Sequence, residues 1–343
     1  MDPVRIGLVG YGFGGRYFHA PLISSAAECD FLGVVTTSGE RRALVAADHP
    51  EVAAFDSLEA LAAAGAEAVT ISTPADTHSR LSDQAIELGL SVVCDKPFSL
   101  DPAAARRTVD LAAERGVTLS PYQNRRWDSD FLTVRALVED GTLGEVRRLE
   151  SRFERYSSRG PGAAGGGTLL DFGAHLVDQA LSLLGPVESV HAESRRRDTG
   201  LDDDVFVALW HANGAISHLW GSFSQHAPGP RFRVTGSKAS LVLTTGDTQE
   251  DMLVTGASPA TTGTWGREAA SELDRVFTAS SSRAITLVPG AWDTYYPTFA
   301  RAVRGEGAPP VDPADAVATA EVLEAARISA ASGTSVRLGG QVS

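Results

Sequence analysis

Short apolar runs alternate with amphipathic stretches through the first third of the chain. The apolar runs have the length of buried strands and lie at residues 4–9, 31–36, 68–72, 91–95 and 117–122. Between them, stretches rich in Ala, Leu and Glu have a helical period and lie at residues 57–64, 77–88 and 101–115. Strands that alternate with helices pair in parallel through crossover connections. This pattern therefore predicts an α/β domain built on a doubly wound parallel sheet.

The pattern changes after residue 122. Helical stretches follow at 128–139 and 169–184, strand-like runs at 146–156, 205–210, 215–223 and 231–235, and a glycine-rich loop at 157–167. Short turns such as Asn213-Gly214 separate the later runs, which predicts an antiparallel sheet. Asp312-Pro313 begins a last helix that Gly333 ends. The polar stretch 246–282, rich in Ser, Thr and Gly, has no pattern that assigns it to a helix or a strand. We expect an N-terminal Rossmann domain at 1–122 and a C-terminal α+β domain, with a mainly antiparallel open sheet, at 123–343.

A glycine-rich turn follows the first predicted strand. Gly10, Gly12 and Gly15 form G-x-G-x-x-G, and residues 16–23 continue as a predicted helix. In a strand–turn–helix, the first glycine makes the tight turn, the second lets a pyrophosphate approach the backbone, and the third lets helix and strand pack closely. The helix N-terminus then offers free N–H groups to the phosphates. A plain glycine-rich turn is the alternative, because the chain contains 34 glycines.

Charge and cysteine content narrow the function classes. The formal net charge of −13 argues against nucleic acid or an anionic membrane as a partner, since both need a basic surface. The two cysteines, Cys29 and Cys94, form no C-x-x-C motif and suggest no disulfide framework. No signal peptide or spanning segment is evident, so the expected location is the cytoplasm.

Lys96 stands in Asp95-Lys96-Pro97, directly after a predicted strand. Doubly wound folds hold their ligands at the carboxyl ends of the strands. A lysine near a nicotinamide could hold a substrate hydroxyl by a charge-assisted hydrogen bond and ease the loss of its proton. The alternative is a surface lysine in an ordinary β–α turn.

Asp171, His175 and Asp178 form a second constellation. Their spacing places them on one face of the predicted helix 169–184, whose other positions are largely apolar. Histidine titrates near neutrality, which suits the proton transfer that accompanies alcohol oxidation. A core histidine fixed by a carboxylate remains an alternative, and metal ligation is a third one without a matching Cys or His motif. We predict no metal site.

Two further charged stretches have simple structural interpretations. Arg125, Arg126 and Trp127 could line a polyol or sugar site, or they could tie the two domains together through salt bridges. The triplets 195–197 (three arginines) and 202–204 (three aspartates) are most simply a solvated pair of strand ends.

Together these motifs resemble the glucose–fructose oxidoreductase/inositol dehydrogenase/MocA family. The markers are G-Y-G-F-G-G at 10–15, S-T-P-A-D-T-H at 72–78, D-K-P at 95–97 and G-G-G-T-L-L-D-F-G-A-H-L-V-D at 165–178. F-H-A-P-L at 18–22 and N-R-R-W-D-S-D-F-L-T at 124–133 resemble the branch of NADP-dependent scyllo-inositol dehydrogenases. The chain departs from the usual E-K-P motif at Asp95, and its loop 157–167 lacks the aromatic residues common in relatives.

The resemblance implies roles for particular residues. Lys96, Asp171 and His175 would be the catalytic trio, in which Lys96 holds the reacting hydroxyl, His175 takes its proton and Asp171 orients or charge-balances the pair. Lys96, Asp171 and His175 would also contact the substrate, together with Asn124, Arg125 and Asp178. The expected cofactor contacts are Gly10, Tyr11, Gly12, Phe13, Gly14, Gly15, Thr37, Ser38, Arg42, Thr73, Pro74, His78, Asp95, Lys96 and Pro97.

The end of the second predicted strand bears on the choice of dinucleotide. NAD-binding domains carry an acid there for the ribose hydroxyls, but residues 36 and 37 are both threonine. Thr37 and Ser38 could donate to a 2′-phosphate, and Arg41 or Arg42 could pair with it. Glu40 could replace the missing acid if the turn folded back, although we expect it to face solvent. The sequence therefore predicts NADP as the preferred cofactor and NAD as the lesser one.

The leading hypothesis is an NAD(P)-dependent dehydrogenase acting on a secondary alcohol of a cyclitol or sugar. A related alternative is a keto-sugar reductase of another pathway. A third is a dinucleotide-binding regulator without chemistry, although the intact trio argues against it. The resemblance also implies a homo-oligomer, a dimer or a tetramer.

Overall fold

The computed structural model describes residues 2–160 and 166–339, and these form two compact units. The first unit comprises Met1–Asn124, Thr248–Trp265 and Ala291–Ala316. The second comprises Arg125–Asp247, Gly266–Gly290 and Val317–Ser343. The expected domains were continuous, at 1–122 and 123–343. In the structure the chain leaves the first unit after Asn124 and returns to it twice.

The first unit contains a parallel sheet in the strand order β3-β2-β1-β4-β5-β6. Its strands are β1 Val4–Val9, β2 Cys29–Val35, β3 Ala53–Phe55, β4 Ala68–Ile71, β5 Ser91–Cys94 and β6 Leu119–Pro121. The order reverses between β1 and β4, which is the point where doubly wound sheets bind ligands. The predicted Rossmann sheet is confirmed. The strand β3 was not predicted, because three partly exposed residues carry no periodic signal.

The helices of this unit cover the sheet between successive strands. A π-helical turn, Gly15–His19, continues into α1 Ala20–Ser25, and α2 Gly39–Asp48, α3 Leu58–Ala63, α4 His78–Glu87 and α5 Pro102–Arg115 follow. The predicted ends of α5 are confirmed. Oδ1 of Asp101 accepts a hydrogen bond from the Ala103 N–H at 2.9 Å, and Gly116 ends the helix in the left-handed conformation.

The two returning segments add α8 Gln249–Val254 and α9 Tyr295–Val303 to the first unit. Tyr295 is fully buried, and its hydroxyl lies 2.9 Å from Oγ of Ser120 and 2.8 Å from the Pro121 carbonyl oxygen. It therefore binds the edge strand β6. No sequence signal predicted this return, because the pairing joins residues about 175 positions apart and leaves no local pattern.

The second unit contains a mainly antiparallel sheet in the order β14-β13-β12-β11-β7-β10-β9-β8-β15. These strands are β7 Val146–Glu154, β8 Val187–Arg196, β9 Asp202–His211, β10 Ile216–Ser222, β11 Phe232–Gly236, β12 Ser240–Leu243, β13 Arg275–Phe277, β14 Ser282–Ala284 and β15 Val336–Arg337. The pair β7–β10 is parallel, and the other pairs are antiparallel. The predicted open sheet is confirmed.

Helices α6 Ser129–Glu139, α7 Thr168–Leu184 and α10 Pro313–Ser332 complete the chain, although α10 begins in the first unit. α7 packs on β9 and β10, where Gly221 leaves no room for a side chain larger than hydrogen without crowding Thr168 and Phe172. The core of the second unit includes Phe172, Leu176 and Val177 from this helix. Their helical spacing explains why α7 was evident in the sequence.

The acidic triplet at 202–204 is not simply solvated. Asp203 is buried, and its Oδ2 lies 2.6 Å from Nε of Arg197 and 3.3 Å from Nη2 of Arg195. Alternate residues of a strand face opposite sides of a sheet, so the middle acid points inward while its neighbours remain partly exposed. Part of the predicted loop 157–167, residues 161–165, lies outside the described residues.

A helix that crosses a membrane is both long and apolar. Among the helices of residues 2–160 and 166–339, none has both properties.

The Tyr295 hydrogen bonds predict a stability effect. Tyr295→Phe leaves buried acceptors on β6 without their donor, which should lower the free energy of unfolding of the first unit by about 1–3 kcal/mol. Urea unfolding followed by tryptophan fluorescence measures the change. Tyr156→Phe is the matched control, because Tyr156 is 54% exposed. Equal urea midpoints for the two variants would contradict the conclusion that Tyr295 stabilises the first unit through β6.

Candidate active site

The glycine turn after β1 is built as a phosphate-binding turn. Gly10 has φ +96°, and a Cβ there would collide with the Ser72 carbonyl oxygen. A Cβ on Gly15 would collide with the Gly10 carbonyl oxygen, so the helix packs directly on the turn. No atom of the described residues lies within 4 Å of a Cβ built on Gly12. Gly12 therefore satisfies no packing need of this unit, and the open space beside it fits the close approach of a pyrophosphate.

Asp95 joins three segments at the carboxyl edge of the sheet. Its Oδ1 accepts a hydrogen bond from the Lys96 N–H at 2.8 Å, and its Oδ2 accepts one from Oγ of Ser72 at 3.1 Å. Nε2 of His19 lies 3.2 Å from Oδ2. A Cβ on Gly14 would lie 3.1 Å from the same oxygen, so the glycine turn passes beside the carboxylate. Lys96 is thus anchored by its own backbone next to the turn.

The environment keeps Asp95 ionised. Burial by itself raises the pKa of this carboxyl, but His19, His78 and Lys96 together outweigh burial and hold the pKa at about 2. The negative charge is therefore permanent at physiological pH. It offsets the cationic groups that surround this edge of the sheet.

The segment after β4 supplies Thr73, Pro74 and His78. His78 is buried at the start of α4, and its two ring nitrogens face the carbonyl oxygens of Thr73 and Pro97. The Lys96–Pro97 peptide bond is cis. The hydrogen bonds of His78 tie the loop after β4 to the loop after β5. Five predicted cofactor contacts therefore lie close together: Thr73, Pro74, His78, Lys96 and Pro97.

The end of β2 carries hydroxyl groups and no carboxylate. Oγ1 of Thr36 accepts a hydrogen bond from the Ser38 N–H, and Oγ of Ser38 caps α2 by accepting one from the Arg41 N–H. Nη2 of Arg42 lies 2.6 Å from Oδ1 of Asp56, so this guanidinium is already paired. Glu40 is exposed, as expected.

Two aromatic residues of the turn differ in their surroundings. Tyr11 is buried, and its hydroxyl donates to Oδ2 of Asp48 at 3.0 Å. Burial, followed by Asp48, raises the pKa of this phenol. Phe13 is 57% exposed and packs edge-on against Phe18. Of the two, Phe13 is the side chain that a ligand can reach.

In the second unit, an acid from a neighbouring strand caps the helix that carries Asp171 and His175. Oδ2 of Asp202 accepts a hydrogen bond from the Leu169 N–H at 2.6 Å, and its carbonyl oxygen accepts one from Oγ1 of Thr168 at 2.9 Å. Gly167 precedes the helix with φ +100°, where a Cβ would collide with Asp202. Burial raises the pKa of Asp202. No local sequence pattern predicts this cap, because its acid comes from a strand 33 residues further along the chain.

Asp171, His175 and Asp178 lie on one face of α7, as predicted. Asp171 is half-buried, and His175 and Asp178 are buried. Asp178 accepts two hydrogen bonds from Arg126, at 2.8 Å from Nε and 2.6 Å from Nη2. This bidentate pair ties α7 to the segment after Asn124, and the expected substrate contact of Asp178 stays a prediction.

The segment after Asn124 is held against α7. The Arg125 carbonyl oxygen accepts a hydrogen bond from Nε2 of Gln179 at 2.8 Å. The Arg125 guanidinium lies 3.3 Å from Oδ2 of Asp128 and 4.5 Å above the ring of Phe153. Arg125 therefore has a carboxyl partner and a cation–π contact inside the unit.

The predicted site residues are divided between the units. The glycine turn, the loops after β4 and β5, Lys96 and Asn124 belong to the first unit, whereas Arg125, Asp171, His175 and Asp178 belong to the second. The catalytic trio thus stays a prediction. His19 belongs to the F-H-A-P-L marker at 18–22 and not to the predicted site residues; it is buried, and its Nε2 lies 3.2 Å from Oδ2 of Asp95. In the part of the chain that the structure describes, no group of three His, Cys, Asp or Glu side chains could hold a metal ion.

Comparison with known proteins identifies the family. The profile "Oxidoreductase family, NAD-binding Rossmann fold" matches residues 4–123, and "GFO/IDH/MocA C-terminal domain" matches residues 131–242. The chain belongs to the Gfo/Idh/MocA oxidoreductase family. It is therefore an NAD(P)-dependent oxidoreductase, and the resemblance inferred from the motifs is confirmed.

Relatives of this family member match along nearly the whole chain. The uncharacterized oxidoreductase YdgJ of Escherichia coli is 34% identical, with 94% of this chain and 95% of that protein covered. The scyllo-inositol 2-dehydrogenase (NADP(+)) IolW of Bacillus subtilis is 30% identical, with 95% and 93% covered. A solved oxidoreductase structure from Klebsiella pneumoniae is 35% identical, covers 100% of this chain and 97% of its own, and has a TM-score of 0.91.

The Arg126–Asp178 pair predicts that Asp178 acts on stability. Asp178→Leu leaves a buried guanidinium without its carboxylate, which should lower the free energy of unfolding by about 3–5 kcal/mol. The double variant Arg126→Met/Asp178→Leu should recover much of that loss. Urea unfolding of the unaltered enzyme, the single variant and the double variant measures both effects.

Arg327→Met is the control, because its pair with Glu324 is exposed and should contribute less than about 1 kcal/mol. If Asp178→Leu keeps its stability and only raises KM for the alcohol, Asp178 is a substrate contact and the structural role is wrong.

Proposed function

We propose that this enzyme transfers a hydride between a nicotinamide and a secondary alcohol or ketone of a cyclitol or sugar, with NADP preferred. The observation that carries the proposal is the position of Lys96. It follows β5 at the edge where the glycine turn, Ser72 and Asp95 meet. The likeness to IolW, a scyllo-inositol 2-dehydrogenase, supports a cyclitol as the substrate class.

In this proposal the bound dinucleotide supplies the hydride acceptor, and the chain's own residues handle the substrate and its proton. The Lys96 ammonium donates a hydrogen bond to the substrate oxygen, which stabilises the negative charge that develops there. Nε2 or Nδ1 of His175 accepts the hydroxyl proton, and Asp171, one helical turn away, orients the imidazole or balances its charge. Asn124 and Arg125 border the substrate.

The proposed cofactor contacts follow the structure of the first unit. N–H groups of residues 10–15 bind the pyrophosphate, and the loops after β4 and β5 border the nicotinamide half. Thr37 and Ser38 face a 2′-phosphate with their hydroxyl groups. Arg42 is held by Asp56, whereas Arg41 is exposed, so Arg41 is the better candidate for the cationic contact.

Lys96 provides the test of the reaction. A panel of polyols and sugars, followed by NADPH absorbance in both directions, identifies a substrate. Lys96→Met should then lower kcat by about 10²-fold or more, because it removes a charge that acts mainly in the transition state, while dinucleotide affinity changes little. Lys238→Met is the matched control, since Lys238 is the chain's other lysine and is exposed.

Near-normal turnover of Lys96→Met would remove Lys96 from the mechanism. No turnover of any polyol or sugar, combined with tight dinucleotide binding, would contradict the proposed substrate class.

The residues after β2 provide the test of cofactor preference. The enzyme should use NADP with a kcat/KM at least about tenfold above that for NAD. Thr37→Asp should reduce or reverse this ratio, because a carboxylate repels the 2′-phosphate and accepts hydrogen bonds from a free ribose. Thr278→Asp adds the same charge to an exposed turn of the second unit and should leave the ratio unchanged. Equal efficiency with NAD in the unaltered enzyme would refute the preference.

A further inference from the structure

His78 connects two loops of the candidate site through both of its ring nitrogens. Its side chain is 1% exposed at the start of α4. Nδ1 lies 2.8 Å from the Pro97 carbonyl oxygen, and Nε2 lies 2.8 Å from the Thr73 carbonyl oxygen. The two carbonyls follow β5 and β4, respectively. One imidazole therefore bridges the two loops that flank the nicotinamide half of the proposed cofactor site.

The bridge determines the protonation state of the ring. A carbonyl oxygen only accepts hydrogen bonds, and a neutral imidazole carries a single N–H. Both contacts are satisfied only when both nitrogens are protonated, so the geometry requires an imidazolium. The titratable groups that face it are the Cys94 thiol on β5 and the Asp95 carboxylate beyond it. Burial by itself lowers the pKa of His78, but these groups and the Pro97 carbonyl outweigh burial and raise the pKa to about 9.

A second buried histidine shows the contrasting case. Nδ1 of His211 lies 2.9 Å from the Gly185 carbonyl oxygen, and Nε2 lies 2.8 Å from Oγ of Ser217. A hydroxyl group can donate as well as accept, so a neutral ring satisfies both contacts. Burial accordingly lowers the pKa of His211. Burial alone therefore does not produce the cation at His78; Cys94, Asp95 and the Pro97 carbonyl raise its pKa.

We propose that His78 is a positioning residue, held as an imidazolium, that ties the Thr73 carbonyl to the Pro97 carbonyl and thereby fixes Lys96. Lys96 stands between two anchored neighbours: Asp95 is held by Ser72, and Pro97 is held by His78. His78 acts through the backbone of these loops and not by touching the dinucleotide. The expected effect of His78 on the reaction rate rests on the proposed function. The protonation state of His78 does not rest on it.

The first arm of the test uses no substrate. Histidine ring ¹³Cε1 resonances are titrated by NMR in the full-length enzyme, and the His78 resonance is identified as the one missing from His78→Gln or, if that variant does not fold, from His78→Asn. His78 should titrate near its expected value of about 9, whereas His211, identified by His211→Gln, should stay neutral at pH 7. A His78 resonance that titrates at or below the ordinary value of 6.5 overturns the proposal.

The second arm separates positioning from cofactor binding. His78→Gln should lower kcat by about tenfold or more, since a small displacement of a catalytic group costs that much. The Kd of NADP, measured by fluorescence, should change by less than about threefold, because the substitution removes no contact with the dinucleotide. His211→Gln should leave kcat unchanged.

A Kd that rises in step with the loss of kcat makes His78 a cofactor contact and overturns the positioning role. If the unaltered enzyme turns over no polyol, the proposed function fails while the NMR titration still decides the protonation of His78.

Discussion

The carboxylate of Asp95 is the interaction on which the first unit's ligand-binding edge depends. It accepts hydrogen bonds from Ser72 after β4 and from the backbone of Lys96 after β5, and it lies next to His19 in the helix that follows the glycine turn. A partly buried charge is tolerated only when it is paired and hydrogen-bonded. The contacts of Asp95 therefore hold three separate chain segments together at this edge of the sheet. The shorter acid at this position of the family motif still reaches all three.

In the second unit, charged side chains on a largely apolar helix also need partners. α7 buries its hydrophobic side against β9 and β10, yet it also carries Asp171, His175 and Asp178. Asp178 is compensated by a bidentate arginine, and the helix N-terminus is satisfied by Asp202 from another strand. These contacts fix the rotation and the start of the helix. The position of Asp171 and His175 therefore depends on Arg126 and Asp202, which lie outside this helix.

Environment, more than residue type, determines what each histidine can do. His78 and His211 are both buried, but two carbonyl acceptors require a cation at the first, and a hydroxyl group allows a neutral ring at the second. His19 is also buried; its Nδ1 lies 2.7 Å from the Tyr296 hydroxyl oxygen, and its Nε2 lies 3.2 Å from Oδ2 of Asp95. Polar groups in the interior thus form connected networks, in which each member sets the role of the next.

Local patterns in the sequence predicted the parallel sheet, the main helices and the glycine turn. These features depend on hydrophobic period and on turn chemistry, which neighbouring residues encode. The same applies to the shared face of Asp171, His175 and Asp178, since helical spacing alone implies it. The family followed from the order of four motifs.

The tertiary structure decided which of these residues have partners and which segments belong together. It paired Asp178 with Arg126 and Arg42 with Asp56, buried Asp203, capped α7 with Asp202, and returned Tyr295 to the edge of the first sheet. Each of these contacts joins residues that are not neighbours in the chain or depends on which side of a strand faces inward. Such contacts leave no periodic trace, because their energy comes from burial and pairing in three dimensions rather than from local conformational preference.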